Sequence, residues 1–194
     1  MEGFVAPAYG ESSLGDVVPA VGRALGVGVP TGTVDPTGLV LPEAASYVVF
    51  LVDGLGTRLL ERYAHAAPYL SSLRSAAPTA TAGVPSTTAT SLTSLGTGLV
   101  PGAHGVVGFT SRIPGTDRLL NALFWDKDVA PLEWQPHPTA FAGLRSAGVS
   151  VTVVNKREFG GSGLTVAAHR GADYVGADKV GERIAAAVAA LRDQ

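Results

Sequence analysis

Two rhythms of apolar residues divide the chain into strands and helices. Residues 47–52 (YVVFLV) run apolar without a break and are closed by Asp53, Gly54 and Gly56. A short continuous run ended by a turn signal predicts a strand buried on both faces, as in a parallel sheet. Residues 149–154 (VSVTVV) and 172–175 (ADYV) predict two further core strands. Elsewhere the period lengthens to that of a helix. Leu59, Leu60, Tyr63, Leu70 and Leu73 follow Thr57, placed to cap, in a helix reaching about Ala76 and broken near Pro68. Ala89, Leu92 and Leu95 share one face of a segment that begins at Thr87 or Thr88, with Gly96 and Gly98 to stop it. Thr139 caps a helix ended by Gly148, residues 164–168 start a short one, and 178–191 read as a longer amphipathic one. Residues 105–109 and 119–124 flank a Pro-Gly turn and predict a hairpin. Strands alternating with helices predict an α/β fold: a doubly wound, mostly parallel sheet with helices on both faces.

Residues 1–46 differ from the rest. They are rich in Gly and Pro, with one amphipathic patch at 14–25 that Ser13 could cap and Pro19 would kink or shorten. The expected organisation is an N-terminal helix and arm over 1–46, then an α/β domain over 47–194. Trp125 and Trp134 are expected to pack at the domain edge.

Composition narrows the function classes. At 194 residues the chain is long enough for one domain with a core. A net charge of −2 gives no electrostatic reason for nucleic acid or an anionic membrane as partner. With no cysteine there is no disulfide, no thiolate metal site and no thiol nucleophile. The first residues lack a basic-then-apolar leader pattern, and no apolar run reaches the ~18 residues of a membrane span. A cytoplasmic protein is expected. Hydrophobic residues make up 46% of the chain and charged residues only 15%, against about 25% charged in ordinary soluble domains. Such a surface expects cover, either a missing part of the same fold or a self-association partner.

The chemistry is less plain. There is no P-loop and no GxSxG, and the glycines after Asp53 lack the third member of a dinucleotide fingerprint. His65, His104, His137 and His169 show no pairing at metal-ligand spacing, which favours structural roles. Two features remain. Asp53 stands at the carboxyl end of a predicted central strand, where open α/β sheets bind ligands. Ser86, Thr87 and Thr88 stand at a helix start, where backbone N–H groups and the dipole hold anions. By pattern alone, Asp53 could equally be a turn residue and the hydroxyls plain caps.

The ordered set of motifs is more specific than its parts. VVFLVDGLG is followed by PSTTATSLTSLGTGLVPGAHGVVGF and later by SGLTVAAHRGADYVGA. Over about residues 47–178 this resembles the alkaline phosphatase superfamily, and within it the type I phosphodiesterase/nucleotide pyrophosphatase family. The resemblance implies an alkaline phosphatase-like core and a hydrolase of small-molecule phosphoric esters working with two divalent metal ions, expected to be zinc. It implies Asp53 as a metal ligand. It implies Thr88 as the metal-bound nucleophile that is transiently phosphorylated, with Thr87 as runner-up, and His104 as a structural residue holding the loop after the helix.

Two departures bear on this. Nucleotide-cleaving relatives carry an Asn after the His-Gly, where this chain has Phe109, which weakens nucleotides as substrate. The family's other metal ligands, including an Asp-His pair, lie further along than residue 194, and this sequence has no Asp-His dipeptide. The expectation is therefore the N-terminal, nucleophile-bearing half of such an enzyme, with an incomplete active site. A catalytically silent domain acting in binding or assembly is the alternative, and a nucleotide-binding module a third reading.

Overall fold

The computed structural model describes residues 4–29, 38–74 and 80–192. They form two compact units, residues 1–47 with 80–194 and residues 48–79.

The large unit is built on α4 (Thr88–Thr97). Ala89 joins a core cluster with Val106, Leu120, Ala122, Trp125, Leu164 and Ala167. Leu95 joins a second with Val18, Ala140, Phe141 and Leu144. The helix is buried although it is rich in hydroxyls, because Thr93 and Thr97 are satisfied within it and Ser94 by His104. Thr93 Oγ1 donates to the Ala89 carbonyl at 2.8 Å, and Thr97 Oγ1 to that of Thr93 at 2.6 Å. Around α4 stand α1 (Val17–Ala24), α5 (Pro101–His104), α6 (Pro131–Trp134), α7 (Ala140–Ser146) and α8 (Gly163–His169). Both α7 and α8 start on side-chain caps. Thr139 Oγ1 accepts from the Ala142 N–H at 3.0 Å and Ser162 Oγ from the Thr165 N–H at 3.3 Å.

Two small sheets complete the large unit. β1 (Thr110–Arg112) and β2 (Leu119–Asn121) pair antiparallel, with Ser111 opposite Leu120. β3 (Thr152–Asn155) and β4 (Asp173–Gly176) pair parallel, with Val153 opposite Tyr174. α9 (Val180–Arg192) follows, and none of its described residues is buried. The arm joins this unit. Thr81 accepts from the Leu14 N–H and donates to the Ser12 carbonyl, both at 2.9 Å. The expected helix at 14–25 becomes a 3-10 turn, Leu14–Asp16, and α1. Pro19 sits in the first turn of α1, where no N–H is needed, and leaves the helix whole.

The small unit contains α2 (Thr57–Arg62), a 3-10 turn (Ala64–Ala66) and α3 (Pro68–Leu73), with the expected break at Pro68. Gly56, not Thr57, is the N-cap. The expected end of this helix near residue 76 lies outside the described residues.

Several expectations are corrected. Residues 47–52 belong to no ladder, and Val48, Val49, Phe50, Leu51 and Val52 are all exposed. A strand buried on both faces needs neighbours at both edges and layers on both sides. The described residues therefore give an α/β mixture with one parallel pair, not a doubly wound sheet. β3 is half-buried for the same reason, since among the described residues its only paired neighbour is β4. Gly96 does not stop α4; it lies within the helix and packs on α8, and Gly98, at φ 72°, ends it. Trp125 is core rather than edge. It meets Trp134 edge-on at 6.4 Å and covers Gly163.

Candidate functional site

The head of α4 is made by a division of labour between two threonines. Thr87, in extended conformation (φ −81°, ψ 154°), is the N-cap. Its Oγ1 lies 3.0 Å from Thr90 Oγ1 and 3.5 Å from the Thr90 N–H, so the side chain folds back into the first turn. Its carbonyl accepts from the Ser91 N–H at 2.9 Å. Thr88 is the first helical residue and is half-buried. The first turn contains no acidic side chain, so the positive end of the dipole is not offset by a neighbouring carboxylate there.

The other end of α4 is locked by a histidine. His104 is 1% exposed. Its Nδ1 accepts from the Val106 N–H at 3.1 Å, and its Nε2 lies 2.9 Å from Ser94 Oγ. Because Nδ1 is the acceptor, Nε2 carries the hydrogen and donates to Ser94. Burial pushes the imidazole down to about 4. A serine nucleophile would need the reverse arrangement, with Nε2 accepting the hydroxyl proton. Ser94 and His104 therefore make a structural link between α4 and the turn after α5. The signal for His104 was the His-Gly pair; nothing in the sequence pointed to Ser94 as its partner.

Asp53 belongs to the small unit. It is exposed, in a turn where Gly54 takes φ 73° and the Leu55 N–H donates to the Val52 carbonyl at 3.4 Å. Phe109 is also exposed. Its backbone carbonyl accepts from the Ala122 N–H at 2.7 Å, just ahead of β1. Among the described residues no group of three or more His, Asp or Glu side chains stands together to hold a metal ion. Both nitrogens of His104 are engaged. His169 is buried against Phe141, with burial again lowering its pKa to about 4.

A family model for type I phosphodiesterase/nucleotide pyrophosphatase matches residues 47–189. The chain belongs to that family. No curated protein and no solved structure matches it. Family membership makes this a chain of the phosphodiesterase-type hydrolases, whose members are generally metal-dependent. The two-zinc site is a poor fit to the donors described here. Zinc takes about four ligands per ion, and the described residues bring no three such side chains together. Among the described residues no helix is long and apolar enough to cross a membrane.

Proposed function

We propose that this chain carries the nucleophile of a phosphoric-ester hydrolase of the phosphodiesterase type, and that the nucleophile is Thr88. The family match over residues 47–189 carries the reading. The family resemblance places the nucleophile at Thr88, and Thr87 has a structural task of its own, its Oγ1 meeting the Thr90 side chain and N–H as the helix cap. In this reading the first-turn N–H groups of α4 receive phosphate oxygens. Thr88 Oγ1 forms the new bond to phosphorus as the ester oxygen leaves, and water later releases the phosphoryl group. As the family resemblance implies, Asp53 and Thr88 would each serve as a metal ligand, and the metal would supply Lewis-acid activation of the hydroxyl. The ribbon at 48–52 is then a strand of a larger, doubly wound, alkaline phosphatase-like sheet, uncovered here for want of neighbours. The substrate is a small phosphoester, and the cysteine-free composition suits the cytoplasm.

The test is Thr88→Ala in the active enzyme, assayed on a chromogenic phosphodiester. Loss of turnover with an unchanged circular dichroism spectrum is expected, and mass spectrometry of enzyme quenched during turnover should find phosphate on Thr88. Turnover retained by the variant would remove Thr88 from the role.

The shortage of clustered metal donors among the described residues favours a second reading, in which these 194 residues alone are catalytically silent and act in assembly or binding. Zinc titration separates the two. Tight uptake of two ions by the isolated chain would contradict silence.

A further inference from the structure

We infer, resting on Thr88 as the nucleophile, that Tyr9 and Thr81 are positioning residues: through them the N-terminal arm holds the loop that leads into Thr88. The chain reaches Thr88 through residues 81–87, which form no helix and no multi-residue strand. Such a segment stays in place only through what it bonds to. Here four hydrogen bonds tie it to the arm. The Thr81 N–H donates to the Ser12 carbonyl, and the Thr81 carbonyl accepts from the Leu14 N–H, both at 2.9 Å. Thr81 Oγ1 accepts from the Ala8 N–H at 2.8 Å. Tyr9 Oη accepts from the Val84 N–H at 2.9 Å. Next along the chain, Pro85 has no N–H to offer, so the tyrosine holds the last backbone donor before Ser86 and the cap at Thr87.

Gly83 makes the fit close. It is buried, and a Cβ on it would stand 3.3 Å from Tyr9 Oη and 3.3 Å from Pro101 Cγ at the head of α5. The loop therefore runs between the tyrosine and α5 with little room to shift. The arm is itself fixed. The Ser12 N–H donates to the Ala8 carbonyl at 3.0 Å, closing a turn around Tyr9. Asp16 Oδ2 accepts from the Ser13 N–H and from Ser13 Oγ, each at 2.7 Å, and both residues are buried. Residues 8–16 precede the stretch 47–189 that the family model matches, so the family motifs do not contain this hold.

Phosphoryl transfer is catalysed largely by positioning, and a small displacement of the attacking oxygen is costly. Tyr9 acts through the Val84 backbone on the entry to α4, not on the reacting atoms. Its loss should therefore slow the chemical step rather than weaken substrate binding.

The test uses the active enzyme and reads kcat, KM, the urea midpoint and, by NMR, exchange of the Val84 amide. Tyr9→Phe removes only the hydroxyl. Val84 exchange should quicken by about tenfold and kcat should fall by about tenfold, while KM and the urea midpoint stay unchanged. Thr81→Ala should also lower kcat, and Thr81→Ser, which keeps the oxygen, should restore it. Val84 exchange unaltered in Tyr9→Phe would overturn the inference, and so would an unchanged kcat once that amide is released. Thr88→Ala, measured beside them, separates this hold from the nucleophile reading. Turnover surviving in Thr88→Ala with Tyr9→Phe still slow would move the nucleophile and leave the hold standing. Turnover lost in Thr88→Ala with Tyr9→Phe unimpaired would sink the hold alone.

Discussion

Gly96 of α4 lies directly against the backbone of Ala168 in α8. A Cβ on Gly96 would stand 1.8 Å from the Ala168 carbonyl oxygen and 2.8 Å from its carbonyl carbon. The obstacle is backbone, which cannot swing aside as a side chain does. Glycine inside a helix costs about 1 kcal/mol relative to alanine, and here the close approach of two helices offsets it. Gly96→Ala should therefore lower stability by about 1–3 kcal/mol, the range for overpacking a filled core, despite its better helix propensity. Gly181→Ala in α9 is the control, because a Cβ there meets nothing within 4 Å. It should be neutral or gain up to about 1 kcal/mol. Urea midpoints at equal slope measure both. A stabilised Gly96→Ala would show that α4 and α8 are not in this contact.

The link between His104 and Ser94 predicts an unequal pair of losses. Ser94→Ala removes one acceptor and leaves Nε2–H unpaired in a dry site, a cost of about 1–3 kcal/mol. His104→Ala strands both the Ser94 hydroxyl and the Val106 N–H and opens a cavity, so its cost should be larger, about 3–5 kcal/mol. The double variant should lose less than the sum, because the two residues share one bond. Strict additivity in a double-mutant cycle would mean that the bond contributes nothing.

Two buried imidazoles predict how stability responds to acid. His104 and His169 are each held near a pKa of about 4 by burial, whereas an unfolded chain's histidine titrates near 6.5. Between those values the unfolded chain binds more protons than the folded one, so falling pH favours unfolding. The contribution is fully present above about pH 6.5 and is lost progressively toward pH 4. Each histidine accounts for on the order of 3 kcal/mol at the low end. Urea unfolding at pH 7, 5.5 and 4.5 should show a steep loss, with a shallower slope in a folded His169→Phe variant. A flat profile would mean that the rings reach solvent before unfolding.

Local chemistry was legible in the sequence wherever a residue's neighbours along the chain settle its role. Thr139 announces its helix, Gly148 ends one, and the Pro-Gly turn stands between β1 and β2, although the first strand is Thr110–Arg112 and not the expected 105–109. The helix head at Thr87 and Thr88 was legible for the same reason. Roles set by distant partners were not. Nothing in a run of small residues says that Gly96 meets Ala168 or that Trp125 covers Gly163. The ribbon at 48–52 is the sharpest case. Its pattern states that these residues prefer burial, which depends on composition, but not what buries them, which depends on other segments. Exposed Phe50 and the apolar Val180, Ile184 and Val188 of α9 pose the same unanswered demand.

The two threonines at the head of α4 should separate when substituted singly. Thr87 Oγ1 serves the Thr90 side chain and N–H, so Thr87→Ala removes a cap and should cost about 1 kcal/mol. Thr87→Ser keeps the oxygen and should restore most of it. Turnover in Thr87→Ala should survive in part, because the helix still places Thr88 at its first position. Thr88→Ala should abolish turnover, and Thr88→Ser, which keeps an oxygen at the same place, should retain a measurable fraction. The readouts are a urea midpoint and the rate on a chromogenic phosphodiester, taken on the same preparations of active enzyme. If Thr87→Ala loses all activity at full stability while Thr88→Ala keeps it, the nucleophile is Thr87, and the capping geometry at this helix head must rearrange when substrate binds.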